Sequence, residues 1–197
     1  CTDLHASQIQ GFFNIPVDDV SALPVFYNYF SHLGLENITC VSPDHGGVVR
    51  TSKLAEKLNA PIAIIDKRRP EPNKAEIVGI VGDIKDRDCI IIDDICDTGG
   101  TLCLAANKIK ELGARHVYVA ISHGIFSRDA IDKINASAID KIIITDSIPL
   151  PENKKSDKIE VVTLAPLFAL LVDGLEKGLP QSDIQQKYAD SMYKATK

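Results

Sequence analysis

Residues 89–101 read CIIIDDICDTGGT, and their side chains pull in two chemical directions. A β-branched run ends in Asp93 and Asp94, Asp97 follows, and Thr98, Gly99, Gly100 and Thr101 lead into an Ala/Leu-rich run. Glycines let the backbone turn tightly, successive amides can point into the turn, and the next helix presents its positive end; together these make an anion cradle. Thr98 and Thr101 add hydroxyl donors. Taken singly, Asp97 or Thr98 reads as a helix N-cap and Gly99 as a turn residue; taken together they point to phosphate. No Gly-Lys-Ser/Thr follows the spaced glycines and there is no GxGxxG, so this is neither a P-loop nor a dinucleotide fingerprint. Adjacent carboxylates repel phosphate unless they face a divalent metal or the hydroxyls of a sugar. The implied ligand carries phosphate at one end and hydroxyls at the other.

Other chemistry-bearing residues are ambiguous alone. The stretch KRRPEPNK, containing Lys67, Arg68 and Arg69, reads as a solvated basic turn, and residues 68–76, with Pro70 and Pro72, as a mobile surface loop. His5 alone reads as an ordinary core or surface histidine, and Asp44, just ahead of Gly46 and Gly47, as a turn acid. His32, His45 and His123 take no role.

The elements that must position these residues follow from periodicity. Residues 18–31 have helix-like apolar spacing, the helix beginning near Pro24. Strands are expected at 37–43, 60–67, 77–83, 89–94, 115–124, 140–148 and 159–164, and helices at 46–59, 101–113, 128–135 and 165–178, with Gly113 as a carboxyl cap. Residues beyond Gly178 form a terminal helix or a loose tail. Continuous apolar strands alternating with helices imply an α/β fold, a doubly wound and mainly parallel sheet with right-handed crossovers. Functional residues then gather beyond the carboxyl ends of the strands.

Composition narrows the class. The 197 residues suffice for one sizeable core, and 45% hydrophobic with 25% charged residues is ordinary for a globular protein. A net charge of −5 disfavours a nucleic-acid surface. Cys1, Cys40, Cys89, Cys96 and Cys103 lack metal-ligand spacing, and Cys40 and Cys89 lie in apolar runs, as expected of reduced thiols in a cytoplasmic protein. No apolar run reaches the roughly 18 residues of a membrane span. The first words, CTDLHASQIQGFF, read as the middle of a domain, so further sequence is expected upstream.

The acid-rich segment resembles the ribose-phosphate motif of the type I phosphoribosyltransferase fold. Together with DLHASQIQGFF (3–13), VSPDHGG (41–47) and APIAIIDKRRP (60–70), in that order, it resembles the carboxyl-terminal part of class I ribose-phosphate pyrophosphokinases, from the first residue to about Leu171. The resemblance implies magnesium-dependent transfer of the diphosphoryl group of ATP to ribose 5-phosphate. In that picture Asp93 and Asp94 hold the ribose hydroxyls, and Asp97, Thr98, Gly99, Gly100 and Thr101 the 5-phosphate. His5 and Asp44 are magnesium ligands, and Lys67 and Arg69 belong to a catalytic lid. It also implies an assembly of homodimers, up to hexamers. Residues 1–17 would end an amino-terminal domain, 18–178 form the carboxyl-terminal domain and 179–197 a terminal helix or tail.

The pattern is incomplete. The family's amino-terminal half supplies much of the adenine pocket, and the tail here lacks the short Ser-rich end linked to allosteric control in many relatives. Other readings stay open: a phosphoribosyltransferase, which leaves Lys67-Arg68-Arg69 and DLHASQIQ unexplained; a non-catalytic partner subunit, against which the intact acids and lid speak; and an unrelated nucleotide-binding domain.

Overall fold

In the computed structural model the backbone is described for residues 1–71 and 74–194, and side chains for these except 67–71, 74–78 and 190–194. The chain runs α1 (Leu23–His32), β1 (Ile38–Ser42), α2 (Val48–Leu58), β2 (Ile62–Glu71), β3 (Lys74–Val81), β4 (Asp88–Cys96) and α3 (Gly100–Glu111). There follow β5 (His116–Gly124), α4 (Ala130–Ala136), β6 (Lys141–Thr145), β7 (Ile159–Val162), α5 (Ala165–Glu176) and α6 (Gln181–Lys194). Seven strands form one sheet in the order β3-β2-β1-β4-β5-β6-β7. Every pairing is parallel except β2 with β3.

Alternation along the central strands divides the core. Cys89 and Ile91 pack beneath α3 and α4, with Leu102, Ile109 and Ile134. Ile90 and Ile92 pack on the other face among Phe26, Phe30, Leu54, Leu167 and Ile184 of α1, α2, α5 and α6. Burial on both faces explains why β4 reads as a continuous apolar run. The chain leaves β1 through α2 on one face and the neighbouring β4 through α3 on the other. This reversal opens a crevice beyond the carboxyl ends of β1 and β4.

Two expectations are corrected. The stretch 68–76 is not a loop at its flanks: β2 continues to Glu71 and β3 resumes at Lys74, so the chain forms an antiparallel ribbon. Its partner β1 ends opposite Ile64, and β2 runs on beyond the parallel sheet for roughly 20 Å. Pro70 falls where the β2–β3 ladder shifts register between Arg68 and Glu71, an irregularity of the kind at which a strand tolerates proline. Second, β4 does not stop at the acids. It continues through Ile95 and Cys96, which pair with His123 and Gly124 of β5, so Asp93 and Asp94 lie within a strand.

At the amino end of β4 the buried Asp88 is gripped on several sides. Arg115 donates from Nε to Oδ1 at 2.8 Å and from Nη2 to Oδ2 at 2.6 Å, His116 Nδ1 lies 3.0 Å from Oδ1, and the Glu36 amide donates at 3.0 Å. The bonds from Arg115, then those from His116 and Glu36, outweigh burial and hold the Asp88 carboxyl at about 2, below its ordinary 3.8. A carboxylate whose folded pKa is depressed stabilises the fold above its unfolded value and loses that contribution as pH falls through the folded value. Asp88→Asn is therefore expected to cost roughly 2 kcal/mol at neutral pH, with the gap to wild type closing as pH drops from about 4 toward 2 in denaturant titrations.

Candidate functional site

The crevice holds a cleft of about 630 Å³ whose lining includes His5, Asp44, Arg50, Asp93, Asp94 and residues 95–102. Its walls are the carboxyl end of β4 with the turn into α3, the turn from β1 into α2, and the amino-terminal segment.

The turn into α3 is anchored through its carbonyls: Cys96 O accepts from the amides of Ile125 and Phe126, and Asp97 O from Ser127 at 2.9 Å. Gly99 takes φ +70°, a conformation natural to glycine, and stands at the N-cap of α3. Gly99 has no side chain with which to cap this helix, and the first residues of α3 line the cleft. Asp97 and Thr101 are exposed, Thr98 and Gly100 half-buried. The five residues expected to hold phosphate thus form a single turn lining one cleft.

The acid pair has a partner that sequence reasoning missed. Arg50, in the first turn of α2, places Nη1 3.3 Å from Asp93 Oδ1 and Nη2 3.3 Å from Asp94 Oδ2. His5 Nδ1 lies 2.9 Å from Asp94 Oδ2, and the amides of Asp94 and Ile95 donate to Asp93 and Asp94 respectively. The two carboxylates differ accordingly. Burial, then the charge of Asp94, pushes the Asp93 carboxyl up. Burial acts on Asp94 in the same sense, yet the His5 bond and the Arg50 charge outweigh it and hold that carboxyl down. With side chains 33% and 8% exposed, Asp93 is the acid open to a ligand and Asp94 the one committed to protein partners.

On the β1–α2 turn, Asp44 Oδ1 accepts the Gly47 amide at 3.1 Å and Ser42 Oγ donates to Asp44 O at 2.6 Å. His5 and Asp44 therefore line the same cleft. Among the described residues, no group of three His, Cys, Asp or Glu side chains is close enough to hold a metal by itself. The side chains of Lys67 and Arg69 lie outside the described residues. The backbone of β2 reaches the site's edge, since Asp66, preceding Lys67, has Oδ1 3.6 Å from His45 Nε2 on the β1–α2 turn. The ladder between β2 and β3 shifts register between Asp66 and Lys67.

The family model of the phosphoribosyl synthetase-associated domain matches residues 48–178, two-thirds of the chain, from α2 through the acid pair and the phosphate turn to the end of α5. The chain belongs to this family. The ribose-phosphate pyrophosphokinase of Bacillus caldolyticus is 53% identical over 167 residues, 85% of this chain and 53% of the relative. That of Bacillus subtilis is 52% identical over 167 residues, with the same shares. A solved phosphoribosylpyrophosphate synthetase from Mycobacterium smegmatis superposes with TM-score 0.78 at 35% identity, covering 90% of this chain and 58% of that one. The fold is the doubly wound, mainly parallel sheet of the type I phosphoribosyltransferase class. The chain spans about half the length of the curated relatives that it matches. No helix among the described residues of this synthetase-family chain is long and apolar enough to cross a membrane.

Proposed function

We propose that the chain carries the sugar-phosphate site and the lid of a ribose-phosphate diphosphokinase, which takes ATP and ribose 5-phosphate to phosphoribosyl pyrophosphate and AMP. One arrangement carries this reading: an acid pair bridged by Arg50 and the amino end of α3 line one cleft. The accessible Asp93 accepts from ribose hydroxyls, Asp94 orders the pair, and residues 97–101 surround the 5-phosphate with backbone amides and the hydroxyls of Thr98 and Thr101. Arg50 offsets the acids' charge, so that a dianionic phosphate can approach a site that already holds two carboxylates.

The 1-hydroxyl oxygen then forms a bond to the β-phosphorus of ATP, the bond from that phosphorus to the oxygen bridging to the α-phosphorus breaks, and AMP leaves as the hydroxyl loses its proton. Lys67 and Arg69, on the arm rooted beside the cleft, neutralise charge on the moving group and on AMP. Closing of the arm over the substrates keeps water from the reaction.

The donor set fits magnesium. Asp44 offers a hard oxygen ligand on the cleft, His5 a softer nitrogen, and a few protein ligands completed by phosphate and water are what this ion prefers. When bound, magnesium would supply positive charge to offset that of the phosphates. His5 and Asp44 are the residues proposed to hold it. A cytoplasmic homo-oligomer, dimer or hexamer, is part of the same reading, with neither nucleic acid nor membrane as partner.

The test is formation of AMP and phosphoribosyl pyrophosphate from ATP, ribose 5-phosphate and magnesium by the complete gene product. Equal amounts of the two products are expected. Binding of both substrates without product would sink the reading.

A further inference from the structure

His5 reaches Asp94 from an exposed position: its side chain is 73% open, so neighbouring packing does not fix the ring. The path of the backbone before it must do so, and that path is held from two sides. On one side lies the segment before α1. Thr2 bridges Val20, the Asp3 amide donates to Val20 O at 3.1 Å, and the Leu4 amide donates to Asp19 Oδ1 at 3.1 Å. On the other side lies the carboxyl end of β5. Ser122 Oγ donates to Asp3 Oδ2, which also accepts the Ala22 amide at 3.2 Å. His123 Nε2 lies 3.1 Å from Thr2 O and 3.2 Å from Asp3 O.

Both of those carbonyls only accept, so Nε2 of His123 is the protonated nitrogen, shared between them. Ser147 Oγ lies 2.8 Å from both Nδ1 and Ser122 O, and its one hydroxyl proton serves one of these acceptors at a time. The ring is thus held firmly at its Nε2 end and in contact at the other. Between these braces Asp3 adopts φ +41°, a left-handed conformation uncommon for a residue with a side chain. Such a conformation persists only where its surroundings over-determine it, and that is characteristic of functional sites. The bend falls two residues before His5.

We infer that His123 is a positioning residue for His5: its shared Nε2–H holds the Thr2 and Asp3 carbonyls in the bent path that delivers the His5 ring to Asp94. The consequence for catalysis rests on the reading of His5 as a metal ligand given above. A ring already aligned by Asp94 through Nδ1 keeps Nε2 available, with no partner among the described residues, and its orientation is set before substrate arrives. The carboxylate of Asp3 is spent on Ser122 and Ala22, so this acid acts on the path and not on the ligand.

The experiment reads the His5 ring itself in the substrate-free protein, by long-range ¹H–¹⁵N spectra, with His5 signals identified by their loss in His5→Gln. In His123→Ala the His5 signals are expected to shift to those seen in Asp94→Ala, which leaves no side-chain partner at position 94, while the amide spectrum of β4 and β5 is preserved. In His123→Gln, whose side-chain amide can still donate to the two carbonyls, the wild-type His5 signals should return. Wild-type His5 signals in His123→Ala would overturn the assignment, as would a His123→Gln spectrum matching Asp94→Ala. Should His123→Ala fail to fold, His123→Gln decides on the same two outcomes. No substrate enters the measurement, so failure of the diphosphokinase assay leaves it standing, and a negative spectrum leaves that assay untouched.

Discussion

Replacing Lys67 by alanine is expected to lower turnover of ATP and ribose 5-phosphate by roughly 10²–10³-fold, while the dissociation constant for ribose 5-phosphate stays within about threefold. Transfer of a diphosphoryl group places growing negative charge on oxygens in a closed site, and loss of one preorganised cationic donor there costs about 2.7–4 kcal/mol. Sugar-phosphate binding is spared because its proposed contacts stand on β4 and the turn into α3, whereas Lys67 stands on β2 at the root of the antiparallel arm. The register shift between Asp66 and Lys67 marks this as the point where the ribbon departs from the sheet, the kind of irregularity that aims a strand at a site. Rapid-quench turnover beside calorimetric titration separates the two effects. Unchanged turnover would remove Lys67 from the reacting centre, and lost ribose 5-phosphate binding would make it a substrate anchor instead.

The acid pair should respond in the opposite sense. Asp93→Asn with Asp94→Asn is expected to weaken ribose 5-phosphate binding by roughly 10³-fold, since hydrogen bonds from hydroxyls to a charged acceptor contribute about 1.5–3 kcal/mol each. The two single variants should diverge. Asp93 is the more open acid, so Asp93→Asn should lower affinity with little change in melting temperature. Asp94→Asn also leaves Arg50 and His5 without their shared carboxylate, and breaking one side of an enclosed ion pair destabilises. It should therefore lower affinity and melting temperature together. Thermal denaturation beside titration calorimetry distinguishes the patterns, and equal effects of the two variants would contradict the division of labour between the acids.

What the sequence discloses depends on whether a feature is local. β4, α3 and the turn between them were legible because the hydrophobic period changes from that of a buried strand to that of a helix within residues 89–113, with Gly113 at positive φ closing the helix as expected. The acids and the phosphate turn were legible for the same reason. Arg50 was not, because its importance arises only when α2 stands beside β4, 43 residues away along the chain. The flanks of 68–76 read as loop because prolines argue against a strand, an argument that weakens at Pro70, where the β2–β3 ladder shifts register. The brace at His123 was beyond reach for another reason: it acts on the carbonyls of Thr2 and Asp3, and a backbone carbonyl leaves no mark in residue type.

The core carries one more consequence, in its sulfur. Burial pushes the thiols of Cys40, Cys89 and Cys96 up to about 12, and raises that of Cys103, while Cys1 is exposed. At pH 7 a thiol at about 12 is ionised in roughly one molecule in 10⁵, and the thiolate is the form that reacts. The folded protein is therefore silent to alkylating reagents except at Cys1, and each buried sulfur becomes a timer that starts only when its own strand or helix opens. Because three of these sulfurs lie on the neighbouring β1 and β4 and the fourth on α3, the order in which they take up label would chart how the sheet comes apart.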